Sequence, residues 1–522
     1  MAAVLKSLRV EGFHGSLETM AGSRCKRLPY IMAAAFASCC VYFLLVLSNV
    51  PCRNPNSADA SFAMLATANS SSSAPPSHYA QHKSAVLHVF PQAKSALPDI
   101  LSDSATKISV FKTNLSHIVF GIAASAKLWE KRKHYIKAWW MPKMMRGFVW
   151  LDQMVVQNAS EGLPPLKLSA DTAQFKYTHK KGNRAAIRIS RVVSETYRIR
   201  LPDVQWFVMG DDDTVFIPEN LVSVLSKYNP EKFYYIGSSS ESHTQNIEFS
   251  YNMAYGGGGF AVSYPLAKAL EKIQDSCLQR YTYLFGSDDR IQACMAELGV
   301  PLTKEPGFHQ FDIYGDAFGL LTAHPLTPFI SLHHLDYINP IFPNMARLQA
   351  LQRLLRSGRI DPGGLLQQSF CYDKKQSWSF SISWGYAIQL HQGLIPPREL
   401  ERATRTFVSW YKKSAETEYT LSTRPAFADD CTQSAAYYIK EISFKNHFSI
   451  GNYTQEVGLK GQCKLKMAFL NGVESINVVR EKFEELWHQA PRRQCCKVLK
   501  INNSSMQLHI GACQTKQIIN TL

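Results

Sequence analysis

The stretch that decides the expected fold is VQWFVMGDDDTVFIPENL, residues 204–221. Its first six residues, Val204 to Met209, are mostly apolar and have the length of a buried strand. Gly210 and three consecutive aspartates follow directly. In sheets of mostly parallel strands, ligands bind beyond the carboxyl ends of the strands. If this segment is such a strand, the acidic turn lies where a functional site is expected.

Segments on both sides of this stretch alternate between strand and helix patterns. HIVFGIA at 117–123, GFVWL at 147–151 and FYYIG at 233–237 are short apolar runs typical of buried strands. KLWEKRKHYIKAWW at 127–140 has the pattern of a helix, and residues 184–199 place apolar side chains near one helical face. The alternation predicts an α/β fold with a mostly parallel sheet and flanking helices.

The acidic turn consists of Asp211, Asp212 and Asp213. Carboxylates this close repel one another, and a bound cation removes that penalty. Because all the ligands are oxygen atoms, Mg²⁺ or Mn²⁺ is favoured over zinc or copper. Such an ion can neutralise charge on a leaving diphosphate. The alternative is that Asp213 and Glu219 only favour the start of a helix after the turn.

Two later segments carry further candidate residues. The glycine run Gly256–Gly259 permits close approach of the backbone to a ligand, or is a turn without one. It is not a phosphate-binding Walker loop, because no Gly-Lys-Ser/Thr follows. Asp288 and Asp289 stand where a helix is expected to begin. A carboxylate there can act as a general base, or it can simply stabilise the helix start.

Two adjacent histidines, His333 and His334, follow the apolar run FISL. A neutral imidazole at this position can complete the coordination sphere of a metal ion. The alternative is a structural role in the core.

Composition excludes some classes of protein. Hydrophobic residues make up 46% of the 522 residues, enough for a sizeable core. Lys and Arg number 57 against 41 Asp and Glu, and the net charge of +16 favours anionic partners. The chain has neither long basic runs nor zinc-finger spacing, which argues against dedicated nucleic-acid binding.

The N-terminal part predicts a membrane anchor. Residues 30–50 form an uncharged apolar stretch long enough for one transmembrane helix. Basic residues at 24–27 precede it, so residues 1–29 are expected in the cytosol and the rest beyond the membrane, a type II topology. A cleaved signal peptide is the alternative. Residues 51–107 are rich in Ser, Ala, Pro and Asn and are predicted to be a disordered stem.

Glycosylation sequons and cysteines agree with a lumenal location. The sequons all follow the apolar stretch, at Asn69, Asn114, Asn158, Asn452, Asn502 and Asn503. Eight cysteines suit disulfides in an oxidising compartment: Cys277, Cys294, Cys371, Cys431, Cys463, Cys495, Cys496 and Cys513. Cys277 with Cys294 is the one pairing we predict. The absence of C-x-x-C spacing argues against a structural zinc site.

Taken in order, WFVMGDDDTVFIPENL, the glycine run with FAVS, GSDDR and ISLHHLD resemble the Fringe-like glycosyltransferases, most closely a plant branch often labelled a domain of unknown function. The resemblance covers residues 116–344, with weaker similarity towards the C-terminus. It implies a Rossmann-like GT-A fold at 108–345, followed by a cysteine-containing, family-specific region at 346–522. It also implies a type II Golgi membrane protein, Mn²⁺, a UDP-sugar donor, a glycan or glycoprotein acceptor, and inverting transfer that forms a β-1,3 linkage.

The resemblance also assigns roles to residues. It implies donor contacts by Asp211, Asp212, Gly257, Gly258 and Gly259, and metal binding by Asp213 and Asp211 with either His333 or His334, of which His333 is preferred. Asp289 resembles the catalytic base, with Asp288 as the second choice. Relatives commonly continue with a small residue and glycine, whereas this chain has Arg290.

Two other functions are compatible with these residues. A metal-dependent phosphohydrolase also uses clustered aspartates, but a second metal-binding cluster is not obvious in the sequence. A non-catalytic lumenal binding protein could keep the fold without turnover. Residues 346–522 contain no recognisable chemistry, and a stabilising appendage is the expectation for them.

Overall fold

A computed structural model of the chain describes residues 113–426, 434–456, 472–501 and 504–514. The predicted cytosolic tail, transmembrane helix and stem lie outside these residues, as do Cys431 and Cys463. In the part of the chain that the structure describes, no helix is long and apolar enough to cross a membrane.

A seven-stranded sheet forms the N-terminal half. Its order is β3-β2-β1-β4-β7-β6-β8, and all neighbours are parallel except β7, which runs antiparallel to β4 and β6. The predicted mostly parallel sheet is therefore confirmed. The strands are β1 Ile118–Ala123, β2 Arg146–Leu151, β3 Leu166–Leu168, β4 Trp206–Asp211, β6 Tyr235–Gly237, β7 Phe260–Ser263 and β8 Leu302–Lys304.

Both faces of this sheet are covered, which explains why its strands are apolar throughout. Along β1, Ile118, Phe120 and Ile122 belong to one hydrophobic cluster, whereas Val119 and Ala123 belong to another. Successive side chains of a strand point to opposite faces, so an unbroken apolar run is what a doubly covered strand requires.

Helices pack on the two faces of the sheet. In the described residues they are α1 Trp129–Trp139, α2 Ala185–Ser190, α3 Val192–Arg198, α4 Pro218–Leu225, α5 His243–Glu248, α6 Tyr264–Arg280, α7 Ser287–Glu297, α8 Phe318–Thr322, α9 Arg347–Ile360 and α10 Pro397–Leu400. The disulfide Cys277–Cys294 joins α6 to α7, which confirms the predicted pairing.

The helix predicted over 184–199 is broken into α2 and α3 at Arg191. At the end of α2 the hydroxyl of Ser190 donates a hydrogen bond of 2.9 Å to the carbonyl of Ile187. Such bonds from serine to the preceding turn compete with the helical pattern and bend helices. The apolar periodicity continues across the break, so the sequence pattern did not reveal it.

The C-terminal region contains a second sheet of eight strands, ordered β11-β12-β13-β17-β18-β19-β21-β20. Neighbours are antiparallel except β19 and β21. The strands are β11 Gln368–Asp373, β12 Trp378–Ser383, β13 Ala387–Gln392, β17 Ser434–Lys445, β18 Phe448–Gln455, β19 Ser475–Glu481, β20 Cys495–Ile501 and β21 Ser505–Gly511. The disulfides Cys371–Cys496 and Cys495–Cys513 staple it.

Among the described residues, three short strand pairs lie outside the two large sheets, and one of them connects the two regions. Strand β9, Ile313–Gly315, pairs with β15, Phe407–Ser409, and so joins the N-terminal half to the C-terminal one. The other pairs are β5 Val215–Phe216 with β10 Ser331–Leu332, and β14 Ala403–Arg405 with β16 Thr423–Pro425. The proposed domain boundary at 345/346 stays a prediction.

Candidate active site

The acidic turn leaves the carboxyl end of β4, as the sequence predicts. Asp211 is the last residue of β4 and lies opposite Ala123 of β1. Its backbone N–H donates to the hydroxyl of Thr214 at 2.7 Å, and that hydroxyl donates to the carbonyl of Gly257 at 2.7 Å. The turn is thereby fixed against the glycine run.

Asp211, Asp213 and His333 converge. One ligand atom from each lies within 4.8 Å of the others. Nε2 of His333 is 3.1 Å from Oδ1 of Asp213 and 3.8 Å from Oδ2 of Asp211. His333 follows β10, and β10 pairs with β5 directly after the acidic turn, so the sheet pairing brings the imidazole to the carboxylates.

This donor set suits a divalent cation. Two carboxylates and one imidazole are ligands that Mn²⁺ and related ions accept. Nδ1 of His333 lies 3.2 Å from the carbonyl of Gln310 and can donate to it, so Nε2 is the nitrogen that can bind an ion once it gives up its own proton. Such a bond from the second ring nitrogen is how proteins orient ligating histidines.

The charges of the group depend strongly on one another. Burial alone would lower the pKa of His333, but the carboxylate of Asp213 outweighs burial and raises that pKa. Burial would raise the pKa of Asp213, but His333 and Arg132 outweigh it and hold that pKa well below its usual range. The carboxylates are therefore arranged to face a positive charge.

Asp212 points elsewhere and pairs with Arg132 of α1. The guanidinium lies 2.7 Å from Oδ1 of Asp212 and 3.0 Å from Oδ2 of Asp213. Burial and then Asp213 raise the pKa of Asp212 to about 6, against the pull of Arg132. Arg132 thus neutralises part of the acidic turn and holds its shape.

His334 lies beside the converging group. Its Nδ1 is 3.3 Å from both Oδ1 of Asp312 and the carbonyl of Phe311. Its ring stacks on Trp410 with a centroid distance of 4.6 Å. Of the two histidines, His333 is the one that joins Asp211 and Asp213.

The glycine run makes a single 3-10 turn, Gly256–Gly258, against the side chains of the site. A Cβ on Gly257 would lie 2.1 Å from Cε1 of His333, and one on Gly256 would lie 2.6 Å from Oδ1 of Asp288. The close approach expected from the glycines is therefore an approach to the site's own histidine and aspartate. Donor contacts by Gly257, Gly258 and Gly259 stay a prediction.

The two candidate bases at the start of α7 have different surroundings. Both carboxylate oxygens of Asp289 accept backbone hydrogen bonds of 2.9 Å, from Phe285 and Gly286. Asp288 instead lines a small cavity of about 20 Å³ together with Asp211 and Gly256. Burial, and then the charge of Asp211, raise the pKa of Asp288 to about 6.

Arg290, which departs from the pattern that the resemblance implies, stabilises the loop before α7. It is 1% exposed, donates to the carbonyl of Leu284 at 2.6 Å, and lies over the ring of Tyr177 at 4.9 Å. The larger side chain of Arg290 is thus accommodated by hydrogen bonds and packing within its own loop.

Two family models match the chain. The Fringe-like model matches residues 113–315, and a family described as a protein of unknown function, DUF604, matches residues 245–496. We refer to residues 113–315, which match this model, as the Fringe-like domain.

Curated relatives match a small part of the chain. The UDP-GlcNAc:betaGal beta-1,3-N-acetylglucosaminyltransferase 7 of Rattus norvegicus and that of Mus musculus are each 31% identical over 131 residues. Each alignment covers 22% of this chain and 32% of the relative. The matched part therefore spans about a third of the length of these enzymes.

Solved structures of several glycosyltransferases align distantly with the chain. Mouse xyloside xylosyltransferase 1 in its apo form is 11% identical with a TM-score of 0.23, covering 36% of this chain and 84% of that one. The catalytic domain of Drosophila beta1,4galactosyltransferase 7 in complex with xylobiose is 11% identical with a TM-score of 0.21, covering 36% of this chain and 64% of that one. Mannosyltransferase PcManGT from Pyrobaculum calidifontis in complex with GDP-Man and Mn²⁺ is 13% identical with a TM-score of 0.23, covering 37% of this chain and 55% of that one.

Sequence reasoning missed two residues around the site. Arg132 lies in the Fringe-like domain on the buried side of α1, near Trp129, Ile136 and Trp139. A charged residue on an otherwise apolar helical face indicates that it has a buried partner of opposite charge, and this pattern could have been recognised in the sequence. Trp410 comes from beyond the Fringe-like domain, and no local pattern indicates that it reaches His334.

Proposed function

We propose that this chain is an inverting, Mn²⁺-dependent GT-A glycosyltransferase that transfers a sugar from a UDP-sugar to a hydroxyl of a glycan or glycoprotein, forming a β-1,3 linkage. The observation that carries the proposal is the convergence of Asp211, Asp213 and His333 beyond the end of β4. The Fringe-like match and the names of the curated relatives support the same chemistry.

Asp211, Asp213 and His333 would hold the ion. When bound, Mn²⁺ supplies positive charge next to the departing UDP. Arg132 keeps Asp213 in place, and the carbonyl of Gln310 keeps Nε2 of His333 directed at the carboxylates. The residues thus preorganise a site for an anionic leaving group before the donor arrives.

Asp288 is the base in this proposal, and Asp289 is its structural neighbour. Both oxygens of Asp289 accept backbone N–H groups, whereas Asp288, whose Oδ1 accepts from the hydroxyl of Ser287, lines a cavity with Asp211. The acceptor hydroxyl gives its proton to the carboxylate of Asp288 as its oxygen bonds to the anomeric carbon. The bond from that carbon to UDP breaks on the opposite face, which inverts the configuration.

A phosphohydrolase with two metal sites fits less well. Among the described residues, one group of three or more converging metal ligands is found.

The type II topology and Golgi location are proposed from residues 1–107 and the resemblance.

We expect the purified full-length protein in detergent to bind at least one UDP-sugar when Mn²⁺ is present. It should release UDP faster when a suitable acceptor is added. A screen of UDP-sugars with and without candidate acceptors measures this. Chelation of the metal should abolish UDP release, and added Mn²⁺ should restore it. Failure of every UDP-sugar to bind, or release of phosphate without UDP, would overturn the assignment.

We expect Gly257→Ala to weaken Mn²⁺ affinity by about tenfold or more. The new Cβ displaces His333, and changes next to metal ligands typically cost 10–100-fold in affinity. Titration calorimetry measures the effect. Gly358→Ala in α9 is the control, because its Cβ would meet only side-chain ends, Cδ2 of Leu365 at 3.1 Å and Cδ1 of Ile217 at 3.7 Å, and alanine favours a helix. Equal Mn²⁺ affinity in both variants would contradict the role given to the glycine run.

A further inference from the structure

A second and much larger cavity lies outside the site described above. Its volume is about 610 Å³, within the range of pockets that bind small ligands. Its apolar wall includes Phe308, Phe311, Phe329 and Leu326. The cavity is large enough to take a ligand and has no part in the chemistry proposed for Asp211, Asp213 and Asp288.

The cavity opens at the same edge of the sheet as the acidic turn. Ser238 and Ser239 line it and directly follow β6. Strand β7 is antiparallel to both β4 and β6, so β4 and β6 run in the same direction and end at the same edge. A ligand in this cavity would lie along the rim where a donor would bind.

Residues 309–312 separate the cavity from the candidate metal site. The carbonyl of Gln310 contacts His333, and the carboxylate of Asp312 contacts His334. The neighbouring residues His309 and Phe311 line the cavity. Within residues 309–312, side chains that line the cavity therefore alternate with groups that contact the two histidines of the candidate metal site.

A chain of three buried polar side chains runs along the cavity wall. Nδ1 of His309 is 3.1 Å from the carboxylate of Glu241, and Nε2 of His309 is 2.9 Å from Nε2 of His324. The carboxylate can only accept, so His309 carries its proton on Nδ1. In either protonation state of His309, Nδ1 of His324 remains for another group.

His324 is 4% exposed, and besides His309 its ring faces the backbone carbonyl of Pro325. Burial, and then His309, hold the pKa of His324 well below its usual range, so the ring is neutral. The wall of the cavity therefore combines apolar side chains with these three polar ones.

The mouth of the cavity is built by the C-terminal region. Thr420, Ser422 and Arg493 line it, and Arg493 donates to the carbonyl of Gln368 at 2.8 Å. The guanidinium of Arg493 also lies 3.6 Å from Glu401. Residues from the C-terminal region therefore line the cavity together with Ser238, Ser239 and residues 306–311 of the Fringe-like match and with residues 320–329 beyond it.

The lining selects a neutral, hydroxyl-rich ligand. Its carboxylates have partners: Glu241 faces His309 and the backbone of Phe311, and Glu401 faces Arg493. An anion would meet these carboxylates, and a lipid chain would cover the hydroxyls of Ser238, Ser239 and Ser422 without hydrogen-bonding to them. Sugars combine many hydroxyls with apolar ring faces that pack on aromatic side chains.

We propose that this cavity binds one or two sugar units of a neutral glycan. The choice of sugar as ligand rests partly on the proposed function, since an acceptor glycan must reach this same edge of the sheet. The cavity then holds a part of the glycan that does not react.

The test is saturation-transfer NMR with the full-length protein in detergent, with chelator and without nucleotide. The probes are neutral disaccharides: N-acetyllactosamine, lactose, cellobiose and xylobiose. We expect at least one to bind, and titration to show binding about tenfold or more weaker in Ser239→Phe, which fills part of the cavity. Ser276→Phe, the same change on the exposed side of α6, should bind like the wild type.

Thermal unfolding and Mn²⁺ titration of each variant check that fold and metal site are intact. Absence of binding by every disaccharide, or equal binding by wild type and a folded Ser239→Phe, would overturn the proposal. If UDP-sugar and Mn²⁺ bind but no disaccharide does, the cavity assignment falls and the proposed function stands. If disaccharides bind at the cavity and no UDP-sugar binds, the proposed function falls alone.

Discussion

Asp213→Asn should reduce the rate of UDP release by about 10³-fold or more, because a metal ion contributes several kcal/mol of charge stabilisation and its site loses a central ligand. Asp213 is 1% exposed, lies 3.1 Å from His333 and is paired with Arg132, so no other group can take its place without rearrangement. Steady-state assays with the donor found in the UDP-sugar screen give the rate. Calorimetry with Mn²⁺ alone should show lost or strongly weakened binding.

Asp336→Asn is the matched control for this change. Asp336 is also an acidic neighbour of Arg132, at 3.7 Å from its Nε, and accepts a hydrogen bond from Tyr135, but it is not one of the converging ligands. Its loss should leave Mn²⁺ affinity within a few-fold of the wild type. Thermal unfolding of both variants separates loss of metal from loss of fold. If a folded Asp213→Asn protein retained full activity and Mn²⁺ binding, the metal assignment would be wrong.

The sheet and the position of the acidic turn could be predicted because both depend on local composition. A strand covered on both faces needs apolar residues on both, and 118–123 and 206–209 have them. The carboxylates then follow at the strand end whatever the rest of the chain does. Prediction from sequence succeeds best for segments such as β1 and β4, whose residues are buried along nearly the whole strand.

Features that depend on distant segments could not be predicted. Trp410 reaches His334 because β15, which directly precedes it, pairs with β9. The eight-stranded sheet contains one parallel pair, β19 with β21, and no local sequence pattern indicates that pairing. Such long-range pairings decide which of the two adjacent histidines meets the carboxylates, and which of the two adjacent aspartates faces the cavity.

Asp288→Asn should lower the rate of transfer by about 10² to 10⁴-fold, the usual contribution of a positioned general base, and leave Mn²⁺ affinity close to the wild type. Asp289→Asn should lower the rate by less than about tenfold. It should instead cost about 1 kcal/mol of stability, because the amide keeps one oxygen for the two backbone donors at the start of α7. Steady-state kinetics and denaturant unfolding of the two variants give both numbers. A larger rate loss in Asp289→Asn at equal folding would transfer the role of base to Asp289, as the family resemblance first implied.

The pH dependence gives the same assignment an independent readout. Burial and Asp211 raise the pKa of Asp288 to about 6, so the carboxylate is protonated and inactive below that pH. A cation bound at Asp211 lowers this pKa, so with Mn²⁺ present kcat/KM of the wild type should rise with pH through a value at or below about 6 and level off above it. The sign for stability is opposite: the folded protein holds this proton more tightly than the unfolded chain does, so the contribution of Asp288 falls as pH rises towards 6. Asp288→Asn should remove that fall in stability together with the acid limb of the residual rate. An unchanged acid limb in the variant would show that another group sets it.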